Sequence, residues 1–284
     1  MEKKQKNVAA IHDISGFGKC SLTVALPILS AAGISTSVMP TAVLSTHTGG
    51  FTGYTFRDLT GDLRPFYRHW KSLGLSFDAV YSGYLGSFEQ LDIVSEFIDA
   101  FRTPGMRVLI DPAMADNGKL YGAFDEKFVR GMAKLCAKAD LVVPNITEAA
   151  MMLGEPYREG SYDKAYIETL LKGLLAMGPR RAVLTGVFFD EKRLGAACAD
   201  AASGAIEYRF APRVEGYYHG TGDVFASALL GALENGKTLG DSVQIAVEFT
   251  QQSIVRTKEA GTDVRFGVNF EAGLPEYARR LGLH

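Results

Sequence analysis

The sequence predicts an α/β fold, a three-layer sandwich with a mainly parallel central sheet and helices on both faces. Two observations carry that prediction. Short apolar runs alternate with longer stretches of helical pattern, which is the rhythm of βαβ units, and each run ends in polar or glycine residues. The runs are Val8 to Ile11, Ser37 to Leu44, Ala79 to Tyr81, Val108 to Ile110, Leu141 to Val143 and Ala182 to Leu184. A helix is expected from about Lys19 to Ala32, ended by Gly33 and weakest at Pro27, and another near Ser87 to Phe101. Gly195 to Ala199 and Ile206 to Phe210, with Ser203-Gly204 between them, read as a hairpin at the sheet edge.

The strand ends predict where the site lies. They carry Asp13, Ser45-Thr46-His47-Thr48, Ser82-Gly83-Tyr84, Asp111, Asn145 and Thr185-Gly186. Open parallel sheets bind ligands beyond the carboxyl ends of their strands, so one shared site is expected.

Composition narrows the function. A chain of 284 residues, 47% hydrophobic and 22% charged, is that of an ordinary globular protein. Large α/β folds reach this length as one unit, so residues 1–284 are expected to form a single domain, with 154–161 as a surface loop. A net charge of −2 argues against a nucleic-acid partner. Cys20, Cys136 and Cys198 form no Cys-x-x-Cys pair, which argues against a zinc cluster or disulfide framework and fits a reducing, cytoplasmic setting. The charged start is followed by too short an apolar run for an export signal, and no run reaches the roughly 18 residues of a membrane span, so no membrane partner is expected.

The richest local signal is Gly220-Thr221-Gly222-Asp223, followed by the helix-forming run Val224 to Leu230. Amides at a helix start lack intrahelical partners and sit at the positive end of the helix dipole, so the turn can hold a phosphoryl group. Glycine permits close backbone approach, and the adjacent carboxylate can deprotonate an attacking hydroxyl. Taken alone, the four residues fit an ordinary helix start with a first-turn acid equally well. Two other phosphate motifs fail. Gly16 to Ser21 lacks the first glycine of a P-loop, because position 13 is Asp, and has Cys20 where Ser or Thr should follow Lys. As a dinucleotide fingerprint it has Ser21 in place of the third glycine.

The run from Gly220 to Ala226 resembles the C-terminal signature of the ribokinase superfamily. Ser82-Gly83-Tyr84-Leu85-Gly86-Ser87, Asp111-Pro112-Ala113-Met114 and Pro144-Asn145-Ile146-Thr147-Glu148 agree in order and spacing with its pyridoxal kinase branch, so the resemblance spans nearly the whole chain. It implies a ribokinase-like sandwich with no separate lid domain, and an ATP-dependent kinase using Mg2+, with a monovalent cation such as K+ as a further candidate. Asp223 is then the base, and Gly220, Thr221 and Gly222 line the transferring phosphate. Asn145 and Glu148 match the Asn-x-x-Glu element that organises magnesium and triphosphate, while Thr185 and Tyr121 match nucleotide-phosphate positions. Asp111, Asp116 and Glu148 form a candidate magnesium cage acting largely through water. Adenine contacts are expected after Ala211 and from the helix containing Gln251 to Lys258. The resemblance also implies a homodimer, with the edge hairpin and the helix near Leu22 to Leu29 as candidate interface.

For the acceptor, Asp13, His47, Thr48 and Tyr84 are the expected contacts. The His47-Thr48 pair and Tyr84 match the pyridoxal kinase pattern, whereas His12-Asp13-Ile14-Ser15-Gly16 is similar to the first loop of hydroxymethylpyrimidine kinases. Pyridoxal kinases commonly have Ser where this chain has Asp13. A carboxylate there suits a ring NH or a charged amine. His12 reads as a strand-end structural residue, and His47 as either an orienting contact or a loop stabiliser. The expected activity is phosphorylation of the 5-hydroxymethyl group of pyridoxal, pyridoxamine or pyridoxine. The alternatives are hydroxymethylpyrimidine phosphorylation and a non-catalytic vitamin-binding protein on the same fold.

Overall fold

The computed structural model describes residues 5–122 and 124–283. In chain order its first elements are β1 (Asn7–Phe17), α1 (Leu22–Ala31), β2 (Ser35–Thr46), β3 (Phe56–Asp58), α2 (Thr60–Ser72) and β4 (Ala79–Ser82). Then come α3 (Phe88–Phe101), β5 (Arg107–Ile110), β6 (Ala115–Asp116), β7 (Lys119–Leu120), α4 (Glu126–Cys136), β8 (Leu141–Val142) and α5 (Ile146–Leu153). The chain closes with α6 (Lys164–Ala176), β9 (Arg181–Asp190), β10 (Arg193–Asp200), β11 (Ile206–Pro212), α7 (Thr221–Glu234), α8 (Leu239–Glu259) and α9 (Leu274–Leu281). It divides into two compact units, Met1–Val80 with Val214–His284, and Tyr81–Arg213.

In the first unit β1 and β2 run parallel from the pair Asn7 and Ser35 to the pair Phe17 and Thr46, and β3 adds an antiparallel edge to β2. Val8 to Ile11 are fully buried, as a parallel strand covered on both faces requires. α1 packs on β1 and α7, and α8 packs on α7. Every residue of α7 from Val224 to Leu233 is buried, which explains its apolar character all round. In the second unit β5, β8 and β9 are parallel neighbours, and β9, β10 and β11 continue antiparallel. Leu170, Leu171 and Leu174 of α6 have no exposed surface, each contributing about 2 kcal/mol of burial.

The α/β architecture and the β10–β11 edge hairpin agree with the sequence expectation. Several details do not. β1 does not stop at Ile11 but continues through Phe17, so His12 is a fully buried strand-interior residue and the expected loop at 12–17 is strand. Two β1 steps from His12 to Ile14 match three on β2, from Pro40 to Val43, and this bulge lets pairing continue. α1 begins at Leu22 rather than Lys19, because Ser21 holds a positive φ of 56° that no helical residue adopts. The helix runs on through Pro27. α2 and β3 had no counterpart in the sequence reading.

Gly195 sits at the irregular pairing between β9 and β10, and a Cβ there would run into the Arg209 carbonyl oxygen of β11. Gly195→Ala is therefore expected to push the hairpin apart at a cost of about 2 kcal/mol. The melting temperature should fall by about 5 °C in a thermal scan, and an unchanged value would mean that the edge hairpin is not closely packed.

Candidate active site

Two groups of side chains gather at strand and helix ends, one in each unit. In the first, α7 starts at Gly220, whose φ of 75° and ψ of 2° are left-handed. A Cβ on Gly220 would collide with the Lys19 carbonyl, so glycine is required by both conformation and packing. The first intrahelical bond runs from Val224 N to Gly220 O, which leaves the amides of Thr221, Gly222 and Asp223 at the dipole's positive end. Gly222 is exposed. The turn thus has the form of an anion hole.

The Asp223 carboxyl is raised from 3.8 to about 7, chiefly because it is desolvated; the Ser21 backbone N–H opposes the shift and the charge of Asp13 adds to it. Such a value suits a base working near neutral pH. Asp13 is 5% exposed and accepts hydrogen bonds from Ser21 Oγ at 2.6 Å and Ser15 Oγ at 3.2 Å. Burial raises its proton affinity despite those two hydroxyls. The Cys20 thiol, desolvated and facing both carboxylates, is pushed well up and stays protonated. Asp13, expected at the acceptor ring, has both carboxylate oxygens engaged by the Ser15 and Ser21 hydroxyls.

His47 is buried and its two ring nitrogens are engaged: Nε2 lies 2.6 Å from the Arg265 carbonyl, and Nδ1 accepts from Gly49 N at 3.1 Å. That pattern fits a neutral ring with hydrogen on Nε2, and desolvation lowers its pKa while the Arg265 carbonyl and the charge of Asp13 oppose the shift. Both ring nitrogens are thus bound to loop backbone. Thr48 beside it is exposed. Around these loops stand aromatic rings that the sequence reading missed. Phe17 lies 4.9 Å from Phe266, Phe51 stacks on Phe266 at 6.4 Å, and His219 lies 5.2 Å from His47. The clue was the glycines flanking Phe17 and preceding Phe51, which leave little else for a ring to serve.

In the second unit Asn145 is the N-cap of α5. Its Oδ1 accepts from Glu148 N at 2.9 Å and Glu148 accepts from Asn145 N at 2.9 Å, a capping box. Glu148, 2% exposed, also accepts from Met114 N at 3.0 Å and Ala115 N at 3.4 Å, while Asn145 Nδ2 donates to Ala115 O at 2.8 Å. Burial raises the Glu148 pKa against those amides, with the charge of Asp116 adding to the rise. Thr185 N donates to Pro144 O at 3.0 Å, so β9 brings Thr185 alongside Asn145.

Asp111 follows β5 and is buried, with its N–H bonded to Ser82 O at 2.9 Å. Asp116 comes from a feature the sequence reading overlooked. β6 and β7 form a hairpin around Asn117 (φ 48°) and Gly118 (φ 74°), the Asn-Gly pair that a two-residue turn prefers. Gly118 N docks the turn by donating to Thr147 Oγ1 at 3.0 Å. Tyr121 follows β7 and is exposed, and Tyr84 lies 5.7 Å from the Phe124 ring. Among the described residues no group of three or more His, Cys, Asp or Glu side chains forms a ready metal site. Glu148 is held by backbone amides, so any link from it to magnesium would run through water; Asp111 and Asp116 are the carboxylates suited to the ion. No helix of the described residues is long and apolar enough to cross a membrane.

Comparison with known proteins agrees with this chemistry. The phosphomethylpyrimidine kinase family profile matches residues 71–267. A Bacteroides thetaiotaomicron protein assigned to the phosphomethylpyrimidine kinases, crystallised in an orthorhombic form with pyridoxal, is 38% identical, covering 99% of this chain and 96% of that one with a TM-score of 0.90. The structure of pyridoxal kinase from Lactobacillus plantarum is 32% identical, covering 96% and 97%, with a TM-score of 0.88. The pyridoxine/pyridoxal/pyridoxamine kinase of Bordetella avium is 27% identical over 89% of this chain and 86% of its own length.

The raised Asp223 pKa also has a consequence for stability. A carboxyl that binds its proton more tightly when folded adds most stability below its unfolded value and loses that contribution as pH rises through about 7. Asp223→Asn removes the buried charge. Its melting temperature should exceed that of the parent by a few degrees at pH 8 and by less at pH 5; a lower value at pH 8 would show that the ionised carboxylate is not strained.

Proposed function

We propose that this chain, which belongs to the phosphomethylpyrimidine kinase family, transfers the γ-phosphoryl group of ATP to the 5-hydroxymethyl group of pyridoxal, pyridoxamine or pyridoxine. The observation that carries this reading is the desolvated Asp223 carboxylate in the first turn of α7, directly after a glycine turn shaped to hold an anion. A relative at 38% identity crystallised with pyridoxal supports the choice of acceptor.

Asp223 accepts the proton of the acceptor hydroxyl as its oxygen forms a bond to the γ-phosphorus. The bond from that phosphorus to the bridging oxygen breaks, and ADP leaves. The amides of Gly220, Thr221 and Gly222 meet the charge on the transferring group. Asn145 and Thr185 bind and orient the triphosphate, Tyr121 covers it, and Asp111 and Asp116 hold magnesium, with Glu148 acting through water. Magnesium, when bound, neutralises phosphate charge. Thr48 and Tyr84 contact the acceptor, and the Phe17, Phe51 and Phe266 rings offer faces for an aromatic substrate. In this reading residues 1–284 work as one kinase domain, in a cytoplasmic homodimer.

The resemblance of the His12-Asp13-Ile14-Ser15-Gly16 run to hydroxymethylpyrimidine kinases keeps that alcohol as the competing acceptor. Steady-state assays with each B6 vitamer and with hydroxymethylpyrimidine separate the two: the vitamers should have the higher kcat/KM, and an overwhelming preference for the pyrimidine would overturn the assignment. Asp223→Asn should lower kcat by about 1000-fold while ADP binding, read by calorimetry, stays intact. Turnover near that of the parent would remove Asp223 as the base, and a parent with no turnover on any of these alcohols would favour the non-catalytic reading.

A further inference from the structure

In the second unit the candidate residues Asp111 and Asn145 stand beyond the carboxyl ends of β5 and β8. The opposite ends of the same strands carry a different charge pattern. Arg107 opens β5, Asp140 precedes β8, Arg181 opens β9 with Arg180 just before it, and Asp200 closes the antiparallel β10. Together with Arg102, the residue that ends α3, they line a cleft of about 550 Å³. That volume lies within the range of small-molecule sites. Four guanidinium cations against two carboxylates leave the lining with an excess of positive charge, in a chain whose net charge is −2. Like charges gathered in one cleft repel one another, and an anion between them relieves the repulsion.

Holding the fold together accounts for part of this charge. Arg102 donates from Nη1 to Asp140 Oδ2 at 2.9 Å and from Nη2 to the Lys138 carbonyl just past α4, where a cation suits the negative pole of the helix. Asp140 Oδ2 also accepts from Val108 N at 2.9 Å. Arg181 donates from Nε to Asp200 Oδ2 at 2.7 Å, and Asp200 Oδ1 accepts from Ala202 N at 2.9 Å. Two sets of donors are left over. Among the described residues the Nη groups of Arg181 find no acceptor, and the Arg180 side chain donates no hydrogen bond. Its contact with Asp140 is a long ion pair, 4.0 Å from Nε, and the side chain is 85% exposed.

We propose that this cleft is a second anion site, built to bind a small molecule that carries one or two phosphoryl groups. The planar end of Arg181, held through Nε by Asp200, offers its Nη donors to a phosphoryl oxygen, and Arg180 supplies a second fork from the adjacent residue. Asp140 and Asp200 each accept two hydrogen bonds, so they anchor the guanidiniums and the strand ends rather than meet the ligand. The backbone under the forks is tied to both walls: Arg181 N donates to Asp140 O at 3.0 Å, and Ala201 N donates to Arg180 O at 2.9 Å. Neither the glycine turn before α7 nor the carboxylates assigned to magnesium line the cleft, so binding here is independent of the kinase reading.

The test titrates sodium pyrophosphate into the isotope-labelled full chain in metal-free buffer at neutral pH, read by NMR at the backbone amides. Saturable shifts are expected at Gly105, Ala201 and Ala202, which sodium chloride of equal ionic strength should not reproduce. Arg180→Gln removes an exposed side chain without a hydrogen bond and should weaken binding about tenfold, the loss of one charge-assisted contact. Arg180→Lys keeps the charge without the fork and should fall between the parent and Arg180→Gln. Arg181→Lys keeps a cation for Asp200, and the double variant Arg180→Gln/Arg181→Lys should abolish the cleft shifts. Cleft amides that move no more with pyrophosphate than with salt would overturn the proposal, as would variants that bind as tightly as the parent. Equal losses at the cleft and at the Gly222 amide in those variants would mean a general charge effect and would also sink it. A parent that responds at the cleft but not at Gly222 would count against the anion hole and leave the cleft site standing. Repeating the titration with ADP and with pyridoxal phosphate identifies the source of the phosphoryl group, as the compound that saturates the cleft at the lowest concentration.

Discussion

The close approach of the Lys19 carbonyl to Gly220 is the constraint on which the first unit's chemistry depends. It demands a residue with no Cβ at the start of α7 and presses the segment 19–21 onto the helix N-terminus. The left-handed Gly220 fits that contact, and the helix it opens carries the desolvated Asp223 in its first turn. A solvated aspartate would be a weak base at neutral pH; here the same packing that shapes the anion hole raises the carboxyl's proton affinity. In the proposed reaction the glycine turn and the raised carboxyl would serve the same step.

The second unit shows a different economy. Asn145 and Glu148 sit where a phosphate-organising pair is expected, yet their side chains are bound to each other's backbone and to the strand carrying Met114 and Ala115. Their first role is to hold α5 and the 115–120 hairpin together. Functional and structural readings of such a pair are compatible: groups that fix the backbone of the hairpin also fix Asp116 and Tyr121, which follow from it. Removing Glu148 would therefore disturb more than its own carboxylate.

The α/β class and the β10–β11 hairpin were legible because they rest on local periodicity and on glycine and proline placement. Asp111 and Asn145, which follow β5 and β8, were legible because a polar residue after a buried strand stands out in one dimension, whereas Asp13 and Thr185, expected at strand ends, lie inside β1 and β9. β3, α2 and the full length of β1 were not legible. Polar and exposed stretches such as Phe56–Asp58 have little pattern, and β1 outruns its apolar core because β2 offers partners as far as Thr46. The Asn117-Gly118 hairpin was readable in principle from its turn dipeptide. His47 illustrates the limit: its type and position are visible in the chain, and Gly49 is close by, but the contact of its Nε2 with Arg265 depends on a loop 218 residues away.

The sequence by itself determined the fold class, the glycine turn, the base candidate and the family resemblance, because these depend on residue type and short spacing. Only the tertiary structure decided that Asp13 is bonded to the Ser15 and Ser21 hydroxyls and that desolvation raises the Asp223 pKa to about 7. The reason is physical. Charge interactions and desolvation depend on distance and burial, which the order of residues along the chain does not specify.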